Sequence, residues 1–340
     1  MRFSKWLPLL AVVGTFVLTA CPSEKPAETV SAPSAASPPA APAFNADTAY
    51  AYTARQVAFG PRVPNSKAHI ACGNYLVATL KRFGLPVREQ PFQAMTFDGT
   101  QISGRNIVAQ YQPQAARRIA IFAHWDTRPF ADADKGANKN KPMDGASDGA
   151  SAVATALEIV RNLSLQPEKM APNVGVDIIL FDAEDWGHDE TSQADVKNQL
   201  EGSGDSWCLG SQYWAKHPLP AGYKAEYGIL LDMVGAKNGR FTREGTSLQN
   251  ARSVVDKVWN TAAKIGYSDY FLFSDTGAIL DDHKYTNDAG VPTIDIYDHP
   301  PFGSEFFPPY HHTTADNMSI IDRKTMKAVG QTVLQVLYQE

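Results

Sequence analysis

The sequence predicts a single α/β domain built on a central mixed, mostly parallel sheet flanked by helices. Short apolar runs rich in Val, Ile and Leu alternate with segments of helical spacing, the pattern of strands joined by helical crossovers. At 340 residues and 44% hydrophobic, the chain has enough apolar surface for one large α/β domain. Several of the apolar runs also end abruptly in acids or histidine, and ligands of open α/β sheets bind beyond the carboxyl ends of the strands.

The N-terminus is excluded from that fold. Arg2 and Lys5 precede an apolar stretch over residues 9–17, too short for a comfortable membrane span. Leu18-Thr19-Ala20-Cys21 follows and resembles a bacterial lipobox. The resemblance implies a signal peptide over residues 1–20, a lipidated Cys21 and an exported, membrane-anchored bacterial lipoprotein facing the periplasm or the cell surface. Pro, Ala and Ser dominate residues 22–43, so residues 21–45 read as the lipidated cysteine and a flexible tether. Residues 46–340 are assigned to the folded domain, and a monomer is expected. The formal net charge is -5 without a basic stripe, which argues against a nucleic-acid partner. Cys72 and Cys208 fit either a disulfide or two buried thiols.

Along the domain, residues 71–83 have helical spacing, with Leu76, Leu80 and Phe83 on one face before Gly84-Leu85-Pro86. Residues 87–97 and 102–111 read as a meander. Residues 119–123 form a short strand ending in His124-Trp125-Asp126. After a polar loop, Asp148 opens an Ala-rich helix to about residue 163 and can be simply its N-cap. Residues 174–181 read as a buried strand, and Asp182, Glu184 and Asp185 follow at once. Trp207 begins another helix. Residues 227–231 form a strand ending in Asp232, residues 254–265 a helix, and residues 291–296 a strand carrying Asp295. Asp322 caps a last helix with Met326, Val329, Val333 and Val336 on its apolar face.

The strand ends collect His124, Asp126, Asp182, Glu184, Asp185 and Asp232; Asp148, Asp281, Asp282, His283, His311 and His312 are further candidates. Crowded carboxylates at the end of an apolar strand need a cation or shared protons. Imidazole and carboxylate without thiolate suit a catalytic zinc with an open position. His69, His188, His217 and His299 read as ordinary surface or loop histidines.

Six motifs occur in order: His124-Trp125-Asp126, Gly145-Ala146-Ser147-Asp148-Gly149-Ala150-Ser151, the acidic stretch from Phe181 to Gly187, Leu231-Asp232-Met233-Val234-Gly235-Ala236, Asp281-Asp282-His283 and His312-Thr313-Thr314-Ala315-Asp316-Asn317. Together they resemble the M28 superfamily of zinc aminopeptidases and, within it, the bacterial-type glutaminyl-peptide cyclotransferases. The resemblance implies a zinc-aminopeptidase-like fold and one zinc per chain held by Asp148, Asp185 and His312. It places Glu184 as the proton shuttle, with Asp232 and Asp281 hydrogen-bonded to it. His124 matches a ligand to a second metal in two-zinc aminopeptidases, oriented by Asp126. Cyclases commonly carry Trp before the last zinc histidine, where this chain has His311; His311, Trp207 and Phe307 are taken as substrate-pocket residues. The implied reaction converts the N-terminal Gln of peptides or proteins to pyroglutamate and releases ammonia. An M28 aminopeptidase is the alternative, and a catalytically dead peptide-binding lipoprotein a third.

Overall fold

A computed structural model of the protein describes residues 40–167, 170–188, 205–300 and 306–340. The expected signal peptide, Cys21 and most of the tether lie outside the described residues. Two helices precede the sheet. Helix α1 (Ala46–Val57) starts where Asn45 accepts a hydrogen bond from the Thr48 N–H. Helix α2 (Lys67–Arg82) starts where Ser66 accepts from the His69 N–H and buries Cys72, Leu76 and Leu80. Strands β1 (Val87–Met95) and β2 (Gln101–Tyr111) form the expected antiparallel pair.

Strands β3 (Arg117–His124), β4 (Val174–Phe181) and β5 (Tyr227–Asp232) follow, with helix α3 (Ala152–Leu165) between β3 and β4 and helix α4 (Leu209–Lys216) between β4 and β5. A short parallel pair, β6 (Phe241–Arg243) and β7 (Phe271–Asp275), stands apart from the main sheet and brackets helix α5 (Gly245–Lys264). Helix α6 (Asp282–Asp288), strand β8 (Thr293–Tyr297) and helix α7 (Arg323–Tyr338) complete the chain. The main sheet runs β1-β2-β4-β3-β5-β8. Its β4-β3-β5-β8 portion is parallel, and β2 joins β4 antiparallel.

Strand alternation divides the core between two faces. Ile121, Ile178, Ile229 and Ile294 point towards α1, α3, α5 and α7, whereas Phe122, Phe181 and Leu230 pack with Trp214 of α4. Each such buried side chain contributes about 1.5–3 kcal/mol. By the same alternation His124, Asp232 and Asp295 fall on the Phe122 face, so polar groups enter that face towards the carboxyl ends of the parallel strands.

Several boundaries move for identifiable reasons. The helix expected over residues 71–83 begins at Lys67 because Ser66 caps it, and the one expected over residues 254–265 begins at Gly245 because both Glu244 oxygens accept first-turn N–H groups. Asp148 does not cap α3; it lies in an irregular turn over residues 146–151 with extended backbone (φ -90, ψ 101). Cys72 and Cys208 are separate buried free thiols, which resolves the disulfide alternative.

Candidate metal centre and active site

Sharp turns at the strand ends aim the candidate side chains. Left-handed backbone occurs at Ala183 (φ 56), before Glu184, at Met233 (φ 47), after Asp232, and at His312 itself (φ 54). Such conformations cost on the order of 1–3 kcal/mol in residues other than glycine and cluster at functional sites. Two glycines make room. A Cβ on Gly149 would lie 2.4 Å from the His124 carbonyl oxygen, and one on Gly187 would lie 2.0 Å from Cδ2 of Trp207.

His124 sits at the centre, buried. Its Nε2 lies 2.9 Å from Asp148 Oδ1 and 3.3 Å from Asp232 Oδ1, and its Nδ1 lies 3.5 Å from Asp126 Oδ1. Asp126 also accepts the backbone N–H groups of Glu184 and Asp185 at 3.1 and 3.2 Å, which fixes the acidic turn. Asp316 does the same for the opposite wall, accepting from the N–H groups of Ser147 and Asp148 at 2.7 and 3.1 Å. Asp185 Oδ2 accepts from the Arg128 N–H at 2.9 Å, and its Oδ1 lies 3.1 Å from His312 Nε2.

Arg128, Asp148, Glu184, Asp185, Trp207, Asp232, Asp281, Phe307, His311 and His312 all line one open cleft. Trp207 stacks on His312 with ring centroids 5.6 Å apart, and Phe307 stacks on His311 at 4.2 Å. His311 is thus a pocket residue; its ring also lies 3.6 Å from that of His312.

The electrostatics are those of a site short of positive charge. Burial, then the charges of Asp281, Asp185 and Asp282, raises Glu184 well above the carboxylate range. Burial and Asp148 do the same to Asp185. Burial lifts Asp232 to about 7, with Asp148 and Asp281 adding to it against the hydrogen bond from His124. Burial and then Arg128 lower His312 to about 4, so it presents a lone pair. His124 behaves oppositely: burial opposes its charge, but hydrogen bonds to Asp126, Asp148 and Asp232 hold it well above the ordinary value.

The donor set fits a zinc ion. Asp185 Oδ1 is buried without a hydrogen-bond partner although His312 Nε2 faces it, an arrangement of two lone pairs converging on one point. Ligand atoms of Asp148, His311 and His312 lie within 4.8 Å of one another. Oxygen and imidazole donors suit zinc, and a dication would offset the crowded carboxylates.

Some expectations change. Asp232 and Asp281 make no hydrogen bond to Glu184 among the described residues. Asp232 pairs with His124, and Asp281 caps α6 by accepting from the Asp282 N–H. Asp281 nevertheless approaches Glu184, since atoms of Glu184, Cys208 and Asp281 lie within 4.8 Å of one another. His69 is no surface residue: it is buried, stacks on Trp125 at 4.2 Å and binds both Asp182 oxygens at 2.8 and 2.9 Å. That pair takes Asp182 out of the catalytic cluster. His299 is also buried. Cys208, Glu244 and Asp316 escaped the sequence reading as contributors to the site. The Asp316 motif was the one signal that pointed there.

A mixed sheet whose parallel strands deliver buried carboxylates and imidazoles to one cleft beyond their ends defines an α/β metalloenzyme. The chain belongs to peptidase family M28, whose family model matches residues 106–337. Among solved structures, it is similar to a Zn-dependent exopeptidase from Parabacteroides distasonis (48% identity, 88% of this chain and 100% of that one, TM-score 0.81). It is equally similar to the glutaminyl cyclase of Tannerella forsythia (48% identity, 88% and 100% covered, TM-score 0.81). Among curated relatives, the glutaminyl-peptide cyclotransferase of Gloydius blomhoffii is 26% identical over 303 residues, 82% of this chain and 77% of the relative.

Proposed function

We propose that this protein is a zinc-dependent glutaminyl-peptide cyclotransferase, converting the N-terminal Gln of peptides or proteins to pyroglutamate with release of ammonia. The observation that carries the reading is similarity at 48% identity over 88% of this chain and the whole of a solved glutaminyl cyclase, joined to a cleft in which Glu184 approaches Asp281 beside the candidate metal donors.

Asp148, Asp185 and His312 would hold one zinc ion. Bound there, the metal supplies Lewis-acid polarisation of the substrate γ-carbonyl. Glu184 then takes a proton from the attacking α-amine and returns it to the departing nitrogen. The bond formed joins the α-nitrogen to Cδ, the side-chain carboxamide carbon, the Cδ–Nε2 bond breaks to release ammonia, and no water enters. Trp207, Phe307 and His311 form the apolar and aromatic walls against which the side chain of Gln folds.

The second reading is an M28 aminopeptidase. It is favoured by one observation: atoms of His124, Asp148 and Asp232 lie within 4.8 Å of one another and offer a place for a second metal. Ammonia release from a Gln-peptide, compared with Leu release from a Leu-peptide, separates the two. The protein is anchored by lipidated Cys21 on an exported face of a bacterial membrane, a reading that rests on the residues around the Leu18-Thr19-Ala20-Cys21 motif.

A further inference from the structure

Behind the cleft, Asp281 joins two buried side chains, His283 and Asp295, that have no assigned role. Asp295 sits in the middle of β8, opposite Leu230 of β5, where a parallel strand ordinarily carries an apolar side chain. It is fully buried, and among the described residues no N–H or hydroxyl donor reaches its oxygens; its side-chain partner is the carboxyl of Asp281. His283 Nδ1 is buried without a hydrogen-bond partner, 4.0 Å from Asp295 Oδ2. Ligand atoms of Asp281, His283 and Asp295 lie within 4.8 Å of one another.

The far side of this cluster is fixed. His283 Nε2 lies 3.1 Å from Glu244 Oε2. Glu244 also accepts from the N–H groups of Thr246, Ser247 and Ile279 and from the Ser247 hydroxyl. The Asp295 N–H in turn donates to that hydroxyl oxygen at 2.9 Å. The near side is Asp281, which reaches the cleft beside Glu184. Two buried carboxylates this close cannot both be ionised without a donor or cation between them.

We propose that Asp295 is a positioning residue for cyclisation: a proton shared between Asp295 and Asp281 holds the Asp281 carboxyl beside Glu184, while Glu244 and His283 close the cluster from behind. The groups facing Asp295 are Asp281, which caps α6, His283 of α6, Asp232 at the end of β5, Glu244, which caps α5, and Tyr297 of its own strand. Burial and then Asp281, Asp232 and Glu244 keep the proton on Asp295 well above the carboxylate range. A proton is favoured over a second metal because a dication beside Asp281 would stabilise ionised Glu184 and weaken its capacity to carry a proton to the leaving nitrogen. The inference rests on the cyclase reading for its catalytic consequence, although the shared proton itself can be measured without turnover.

The experiment uses the purified zinc-loaded enzyme and its Asp295→Asn and Asp295→Leu variants. The infrared difference spectrum of parent against Asp295→Asn should show loss of a protonated carboxyl band, with the metal content of both proteins equal. Asp295→Leu should lower kcat by about tenfold, the scale of one lost hydrogen bond to a charged group, with KM within about threefold of the parent. Asp295→Asn, whose amide can donate to ionised Asp281, should recover kcat to within about threefold of the parent. Loss of a metal equivalent in Asp295→Asn would assign the cluster to a cation and overturn the proposal. An unchanged infrared spectrum, or an Asp295→Asn variant as slow as Asp295→Leu, would overturn it as well. Should Asp295→Leu fail to fold, the infrared difference and the Asp295→Asn kinetics still decide. A parent that cyclises nothing defeats the functional reading, while the infrared difference continues to test the shared proton.

Discussion

The Sγ of Cys208 lies 3.3 Å from Oε1 of Glu184, and the Cys208 N–H donates to the Glu184 carbonyl at 2.9 Å. Burial and then the charge of Glu184 push the thiol well above its usual range, so it stays protonated and acts as the donor. The start of α4 therefore grips the proposed shuttle from one side while Asp126 grips its backbone from the other. Glu184→Gln preserves shape but cannot accept the substrate proton. Turnover should fall roughly 10²–10⁴-fold with zinc still bound. Steady-state kinetics with metal analysis checks this, and near-parental turnover would move the shuttle to another residue.

The proposed zinc ligands are Asp148, Asp185 and His312. With three protein ligands there is little redundancy, so replacing any one by Ala should sharply reduce zinc retained after dialysis. Chelation should abolish activity and added zinc restore it. Full activity in protein shown to be metal-free would reject the assignment.

Acid stability should depend on Glu244. Burial would raise its pKa, but His283 and the N–H groups of Ser247 and Thr246 hold it down at about 2. A carboxylate depressed on folding stabilises above its unfolded pKa, about 4.3, and loses that contribution as pH falls towards the folded value. The contribution near neutrality is on the order of 3 kcal/mol. Urea unfolding of Glu244→Gln should therefore show a deficit that is largest above about pH 5 and narrows towards pH 2. A deficit independent of pH would contradict this.

The anchor prediction concerns Cys21. Cys21→Ser should leave the protein unprocessed or release it from the membrane fraction of the expressing bacterium. A variant that matures and fractionates like the parent would remove the lipobox reading.

The strands that carry the site were legible because strands buried on both faces read as near-continuous apolar runs, as in Val174–Phe181, where Asp177 is the one charged residue. An acid or histidine ending such a run, as His124 and Asp232 do, is conspicuous. The helix after Asp322 was legible because its cap and its apolar stripe agree. Helix α6 was not, since Asp-His-Lys-Tyr-Thr-Asn-Asp has no apolar stripe and is placed by its Asp281 cap and tertiary contacts. Strands β6 and β7, with 3 and 5 residues, are too short to show a period. The acids met by His69 and His283 are distant in the chain; the His69–Asp182 pair spans 113 positions and the His283–Glu244 pair 39. No local pattern encodes which of several acids a buried histidine will meet, so Asp182 read as part of the cluster that it leaves.

The most direct measurement is mass spectrometry of a single peptide beginning Gln-Leu, incubated with zinc-loaded enzyme. A cyclotransferase yields one product lighter by one ammonia, with every residue retained and no free amino acid. Release of free Gln, followed by free Leu, would contradict the account and make the protein an aminopeptidase.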